Sequence, residues 1–170
     1  LDSDRVNHLR FGKNMTPEGA SESLRVAFNH PIKMIVNALG MPPKEMVDMA
    51  KERNVLVGAL VGAKKHAINQ VNAGVDVLIV AGGEAGGHCG EVSTMVLIPE
   101  VYNAVKHIKD VSILAAGGIA TGSQMAAAMA MGAAGAWCGS VWLTTTEAET
   151  NPIVKEKMIA ASSADTVRSK

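Results

Sequence analysis

A glycine-rich segment with a single histidine is the part of this 170-residue chain best suited to chemistry. Residues 82–90 read GGEAGGHCG and follow an apolar run at residues 75–80 that is typical of a buried strand. Glycines leave the backbone open to a flat or anionic ligand. The imidazole of His88, whose ordinary pKa is about 6.5, can take a proton from a carbon acid near neutral pH. The segment therefore predicts a cofactor-binding loop with a base beside it, with a simple hydrogen bond from His88 to a loop carbonyl as the alternative.

Two further glycine-containing pairs lie after or within apolar runs later in the chain. Gly117 and Gly118 come directly after residues 112–116, and Gly139 and Ser140 lie within residues 135–142. In barrels of alternating strands and helices, the loops after the last two strands commonly hold a phosphate through backbone amides. The Ser140 hydroxyl adds a donor, and a helix starting near Ser123 would direct its first amides to the same place. These positions predict a phosphate site, and tight turns without a ligand are the alternative.

The elements that must position these residues alternate between two periodicities. Short apolar, β-branched runs predict strands, and longer stretches with apolar residues three or four apart predict helices. The alternation predicts an α/β fold with a parallel sheet, covered on both faces. The predicted strands are 32–39, 55–61, 75–80, 112–116 and 135–142, and the predicted helices are 21–29, 44–53, 64–73, 98–109, 123–131 and 147–161.

Five such units are fewer than the eight of a closed TIM barrel, which typically needs about 200–250 residues. The chain can therefore be an open sheet or part of a barrel. We favour the barrel, because residues 1–30 lack an apolar beginning and residues 162–170 end without a closing element. The expectation is that residues 1–170 form the C-terminal part of a single (β/α)8 domain and hold its later βα units.

The composition limits the classes of partner that the chain is expected to bind. The 16 basic residues balance the 16 acidic residues, so the chain has no basic footprint for nucleic acid. No apolar run reaches the roughly 18–20 residues of a membrane helix. The chain has two cysteines, Cys89 and Cys138. We expect both to be reduced thiols in a cytoplasmic protein, because two cysteines do not suggest a disulfide framework or a metal site. The expected partner is a small-molecule substrate.

Several polar residues near the loop are given structural roles. Glu84 is predicted to satisfy loop amides rather than act as a catalytic acid, and Ser93 and Thr94 are predicted to cap the following helix. The other histidines lie in polar or helical contexts and are predicted to be surface residues; they are His8, His30, His66 and His107.

The two glycine-rich motifs together resemble one family. The string EAGGHCG at residues 84–90, followed by AAGGI at residues 115–119, MGA at 131–133 and Gly139-Ser140, is similar to the nitronate monooxygenases, long called 2-nitropropane dioxygenases. The resemblance covers about residues 32–150. Flavin-dependent enoyl-acyl carrier protein reductases and enoyl-CoA-type reductases share the same pattern.

The resemblance implies a TIM barrel that holds FMN without a covalent bond. His88 matches the family's catalytic histidine, which acts as base on a nitroalkane or orients the nitronate anion. The cofactor contacts implied by position fall into two groups. The flavin ring would be lined by Ala85, Gly86 and Gly87, and the phosphate would be held by Gly117, Gly118, Gly139 and Ser140.

The resemblance leaves the substrate open. The first hypothesis is an FMN-dependent nitronate monooxygenase that uses oxygen, and the second is an enoyl-thioester reductase that uses NAD(P)H. A third is a phosphate-binding module without activity. Use of a nicotinamide and assembly as a homodimer also stay open.

The chain departs from the family pattern at three places. Ala81 replaces a glutamine, residues 121–124 read TGSQ where the family has Asp-Gly-Arg-Gly, and residues 139–142 read GSVW where it has Gly-Thr-x-Phe. Loss of the arginine makes phosphate binding depend on backbone amides.

Overall fold

The computed structural model describes residues 17–87 and 89–167, in which strands and helices alternate. The strands are β1 (Met34–Asn37), β2 (Leu56–Val61), β3 (Val77–Ala81), β4 (Ser112–Ala116) and β5 (Gly135–Trp137). The helices are α1 (Pro17–Phe28), α2 (Lys44–Glu52), α3 (Lys64–Asn72), α4 (Thr94–Val105), α5 (Gly122–Ala130) and α6 (Pro152–Ala160), with 3₁₀ helices at Ser140–Thr144 and Ser163–Asp165.

The five strands form one parallel sheet whose spatial order is the chain order, β1-β2-β3-β4-β5. Each strand pairs with the next, as in Val36↔Gly58, Gly58↔Val77 and Ile79↔Leu114. A doubly wound sheet reverses its strand order, whereas this order never reverses, as in a barrel. The predicted α/β fold of TIM-barrel type is confirmed.

The two faces of the sheet bury different partners. On one face, strand residues such as Val57, Leu78 and Ile113 pack with helix residues such as Leu97 and Ile98, all at most 2% exposed. On the other face, Val77, Ile79 and Ala81 cluster with strand neighbours and Ala85. Among the described residues, helices therefore cover one face, as the outer layer of a barrel does. The predicted cover on both faces is found in a different form, since the second face is buried by neighbouring strand residues and Ala85 and not by helices.

An ion pair ties the amino ends of the strands together. The Asp76 carboxylate accepts hydrogen bonds from the Val57 amide at 3.0 Å and from Lys109 Nζ at 2.7 Å. Burial raises the pKa of Asp76, but these hydrogen bonds and the charges of Lys109 and Lys51 outweigh it and hold the pKa below its usual value. This contact fixes the register of β2, β3 and the segment after α4 at the end of the sheet opposite the glycine-rich loops.

Several element boundaries differ from the sequence prediction. α4 begins at Thr94, four residues before the predicted start, and α6 begins at Pro152 because the Asn151 side chain caps the Ile153 amide at 3.0 Å. β5 ends at Trp137 rather than at residue 142. The prediction that Gly139 and Ser140 lie within this strand is therefore wrong, and both residues follow its end.

The physical reason for the short β5 is a turn stabilised by Trp142. Its indole Nε1 donates to the Cys138 carbonyl and its amide donates to the Gly139 carbonyl, both at 3.0 Å. These bonds close a 3₁₀ turn and stop the extended conformation. Among the described helices, none is both long and apolar enough to cross a bilayer.

Candidate active site

Three loops meet at the carboxyl edge of the sheet. The loop after β3 approaches the loop after β4, since the Gly82 amide donates to the Ala116 carbonyl at 3.1 Å. A Cβ built on Gly118 would lie 3.2 Å from Cβ of Glu84, and a Cβ built on Gly86 would lie 4.0 Å from the Ser140 hydroxyl oxygen. The structure therefore brings the flavin candidates together with the phosphate candidates.

Glycine is required at Gly117 and Gly118 by conformation and by space. Their φ angles are +106° and +68°, a region that other residues rarely adopt. A Cβ on Gly117 would lie 2.8 Å from the Thr94 hydroxyl oxygen and 3.0 Å from the Ala85 amide nitrogen. The glycines thus allow the close packing of two loops at this edge of the sheet.

Glu84 joins the loop to the start of α4. Its carboxylate accepts hydrogen bonds from the Thr94 hydroxyl at 2.7 Å and the Thr94 amide at 2.8 Å. Burial raises the pKa of Glu84, and the two bonds from Thr94 outweigh that effect and lower the pKa below its ordinary value. The prediction that Glu84 satisfies backbone amides is confirmed for the Thr94 amide at the start of α4, and its exclusion as a catalytic acid stays a prediction.

The predicted capping residues behave differently from each other. Ser93 occupies the N-cap position of α4, but its side chain makes no capping hydrogen bond. Thr94 is the first helical residue, and its hydroxyl also approaches the Ala116 and Gly117 carbonyls at 3.3 and 3.2 Å. The prediction of capping by both hydroxyls is therefore wrong, because the Glu84 carboxylate, a charged acceptor, accepts the hydrogen bond of the Thr94 amide.

The turn before α5 is stabilised from within. The Gln124 side chain accepts from the Ala120 and Thr121 amides at 2.9 and 3.0 Å and donates to the Gly118 carbonyl at 2.7 Å. Thr121 and Gln124 form a capping box. Gln124, which lies in the segment that departs from the family pattern, therefore supports the Gly118 backbone with neutral hydrogen bonds and offers no positive charge.

The end of the glycine-rich loop lies on β2. A Cβ built on Gly62 would lie 2.8 Å from the Gly90 amide nitrogen. The thiol of Cys89 approaches the Ala85 carbonyl at 3.3 Å. His88 itself lies outside the described residues, so its role stays a prediction. Gly90 places the end of the loop beside Gly62, which follows β2, and Ala85 places its first half beside Gly117, which follows β4.

A cavity of about 690 Å³ lies beside this loop, and we call it the side cavity. It extends from the ends of β1 and β2 to α3, and the last residues of the loop form one of its walls. Its walls come from four segments of the chain. They are Ala38–Met41 (residues 38–41), residues 60–63 with Ala81, the α3 residues His66, Asn69 and Gln70, and residues 89–92.

Sequence reasoning missed three residues that build this region. Gln124 was detectable, because Thr-x-x-Gln before an apolar run is a capping-box signature. The bridging role of Thr94 and the position of Gln70 in the side cavity depend on contacts between residues far apart in sequence, for which the sequence carries no local signal. Among the described residues, no cluster of three His, Cys, Asp or Glu could hold a metal ion.

Comparisons with known proteins agree with this geometry. The Mycobacterium tuberculosis protein Rv1533, whose name carries the general term monooxygenase, is 55% identical over 94% of this chain and 42% of its own length. A Rhodococcus jostii protein is 36% identical over 94% of this chain and 44% of its own length, and it is named (3aS,4S,5R,7aS)-5-hydroxy-7a-methyl-1-oxo-octahydro-1H-indene-4-carboxyl-CoA dehydrogenase.

Among solved structures, FabK from Thermotoga maritima superposes with a TM-score of 0.80 at 34% identity, over 90% of this chain and 47% of that one. The chain spans about half the length of the relatives it matches. The nitronate monooxygenase profile matches residues 8–169. With the two glycine-rich motifs placed on adjacent strand ends, this match shows that the chain belongs to the nitronate monooxygenase family, a family of flavin-dependent oxidoreductases.

Proposed function

We propose that this chain carries the FMN-binding loops of an oxidoreductase that oxidises alkyl nitronates with oxygen, and that residues 1–170 are the later βα units of one barrel domain. The observation that carries the proposal is the packing of Gly117 and Gly118, both at positive φ, against Glu84 and Ala85. Such packing places the backbone of Gly117 and Gly118 beside the loop after β3 at one sheet edge, and glycine amides at a strand end suit a phosphate. Membership of the family supports the same cofactor.

The residues present fit FMN. Ala85, Gly86 and Gly87 have little or no side chain, so a flat ring can lie on their backbone. Gly117, Gly118, Gly139 and Ser140 would hold the phosphate through amides and the Ser140 hydroxyl. When bound, FMN supplies the electron acceptor for substrate oxidation.

His88 is proposed to handle the substrate proton. It lies one residue from Gly87 in the chain, so it would stand beside a ring that rests on Gly86 and Gly87. A neutral imidazole would take the proton from the carbon next to the nitro group of a nitroalkane. Toward a nitronate anion, the same ring would donate a hydrogen bond and orient the substrate.

A second candidate is reduction of an enoyl thioester with NAD(P)H. It is favoured by the names of two similar proteins, a carboxyl-CoA dehydrogenase and FabK, an FMN-dependent enoyl-acyl carrier protein reductase. In that reaction His88 would bind or protonate the thioester substrate. The fold and the cofactor site would be the same in both cases.

Anaerobic reduction of the bound flavin distinguishes the candidates. The purified holoprotein is mixed in parallel with ethyl nitronate and with NADH or NADPH, and the absorbance of FMN is followed. Bleaching by the nitronate without a nicotinamide is the expected result. Bleaching by the nicotinamide alone would favour the thioester reductase instead, and purification without any FMN would contradict both candidates in favour of a non-catalytic module.

A further inference from the structure

The side cavity and the proposed phosphate site border different halves of the glycine-rich loop. The first half of that loop faces β4 and β5, because Glu84 contacts Gly118 and Gly86 approaches Ser140. The second half, from Cys89 to Val92, forms a wall of the side cavity. None of the four phosphate candidates lines the cavity. The cavity therefore borders the second half of the loop, and the phosphate candidates border the first half.

The walls of the side cavity are mainly apolar. Leu39 and Met41 at its rim are 66% and 52% exposed, so both side chains offer apolar surface beside the cavity. Among the described lining residues, no lysine or arginine is present, and Glu91 is acidic. His66 is the lining side chain among the described residues that could become cationic. A phosphate or carboxylate would therefore find no permanent positive charge in these walls, whereas a neutral hydrocarbon chain would cover Leu39 and Met41.

The rim carrying Leu39 and Met41 is held in place by two amide side chains. Gln70 Nε2 donates to the Gly40 carbonyl at 2.8 Å, and Asn37 Nδ2 donates to the same carbonyl at 2.9 Å. Gly40 has a φ of +70°, so the loop turns sharply between the two apolar residues. Gln70 is only 3% exposed, although it sits on α3 at the cavity wall.

The Gln70 amide is not fully satisfied by the protein. Its oxygen Oε1 is buried and has no hydrogen-bond partner among the described residues. Leaving a buried acceptor unpaired is unfavourable. An apolar residue at this position would avoid that cost but could not donate to Gly40, which indicates that the amide serves to hold the rim.

We propose that the side cavity binds the hydrocarbon chain of the substrate, with Leu39 and Met41 as specificity-determining residues and Gln70 as a positioning residue that fixes their loop. The inference rests on the proposed function, since it assigns the reacting end of the substrate to the His88 side of the loop. The volume of the side cavity, about 690 Å³, lies within the roughly 300–1,000 Å³ typical of ligand pockets. The shared chemistry is an alkyl chain, carried either by a nitronate or by an acyl thioester.

The first test is the dependence of kcat/KM on chain length. Nitronates from nitroethane to 1-nitrooctane form one arm, and butenoyl- to decenoyl-pantetheine with NAD(P)H form the other. We expect kcat/KM in the active arm to rise by about tenfold or more from the shortest to the longest substrate, since each buried methylene adds to binding. A flat or falling profile would overturn the proposal.

The second test compares variants within that series. The double variant Leu39→Ala/Met41→Ala should lose at least about fivefold more kcat/KM with the longest substrate than with the shortest, mainly through KM. Gln70→Met should also lose more kcat/KM with the longest substrate than with the shortest, but by a smaller factor than the double variant. The double variant Leu56→Ala/Met129→Ala, which truncates residues of similar exposure away from the cavity, should keep the wild-type ratio. An equal loss at all lengths would mean that the rim residues act only on folding or catalysis.

A binding measurement separates this proposal from the proposed function. Calorimetric titration with 1-octanol and with ethanol requires no turnover. If neither substrate arm is active, the proposed function fails, yet 1-octanol binding that weakens several-fold in Leu39→Ala/Met41→Ala would still support the cavity assignment. Absence of 1-octanol binding to the folded holoprotein would overturn it.

Discussion

The carboxylate of Glu84 receives both the hydroxyl and the backbone amide of Thr94, at 2.7 and 2.8 Å. One carboxylate therefore connects the loop after β3 to the first turn of α4. The same Thr94 hydroxyl also reaches the Ala116 and Gly117 carbonyls. Ten residues separate Glu84 from Thr94, so this contact closes the glycine-rich loop and aligns it with the loop after β4.

Removing the Thr94 hydroxyl should loosen both loops. Thr94→Val leaves the Glu84 carboxylate with only the amide, and we expect a loss of about 1–3 kcal/mol in the free energy of unfolding, together with weaker FMN binding. Chemical denaturation and fluorescence titration with FMN measure the two effects. Thr146→Val at an exposed position is the matched control. Equal stability and affinity for Thr94→Val and the control would contradict the bridging role.

The stability contributed by Glu84 should depend on pH. Because the hydrogen bonds from Thr94 lower its pKa in the folded state, the stabilisation is complete above the unfolded value of 4.5 and is lost as the pH falls through the lowered folded pKa. Melting temperatures of the wild type and Glu84→Gln, measured from pH 7 to pH 3, should therefore converge at the acidic end. Glu156→Gln on α6 serves as the control. A difference between wild type and Glu84→Gln that stays constant over this range would refute the linkage.

Gly117→Ala should damage the cofactor site more than an ordinary loop substitution. The added Cβ would lie 2.8 Å from the Thr94 hydroxyl oxygen and 3.0 Å from the Ala85 amide nitrogen. In addition, an alanine at a φ of +106° is strained, and backbone strain of this kind costs about 1–3 kcal/mol. We expect lower stability and loss of most bound FMN after purification, read from the ratio of flavin to protein absorbance. Gly122→Ala is the control, since a Cβ there meets nothing within 4 Å. Retention of full FMN content by Gly117→Ala would argue against a tight cradle.

His88→Ala should separate chemistry from cofactor binding. If His88 is the proton-handling group, turnover should fall by about 10²–10⁴-fold while the FMN content is unchanged. Steady-state kinetics and the flavin absorbance report the two quantities on one preparation. His107→Ala, at an exposed position after α4, should match the wild type. Unchanged turnover in His88→Ala would remove the histidine from the mechanism.

The sequence was sufficient for the class of fold and for the loops that carry the site. Parallel strands buried on both faces need continuous apolar runs, and β-strand and helix periods differ, so the order of elements could be predicted from pattern alone. The glycines of residues 82–90 and 117–118 were also detectable, because no other residue type gives the backbone that freedom. The end of β5 was predicted wrongly, because the bonds of Trp142 that stop it act through a local turn with no periodic signal.

Only the tertiary structure decided how the loops support each other. Thr94 lies between Glu84 and Gly117, and Gln70 reaches Gly40 across 30 positions of sequence. Contacts of this kind depend on which strand ends become neighbours in the sheet, and a hydrogen bond has no sequence pattern when its partners are brought together by packing. The sequence by itself determined the resemblance to the family, the order of strands and helices along the chain and the glycine-rich loops. The parallel sheet decided the spatial order of the strands and which carboxylate, hydroxyl and amide side chains hold those loops in place.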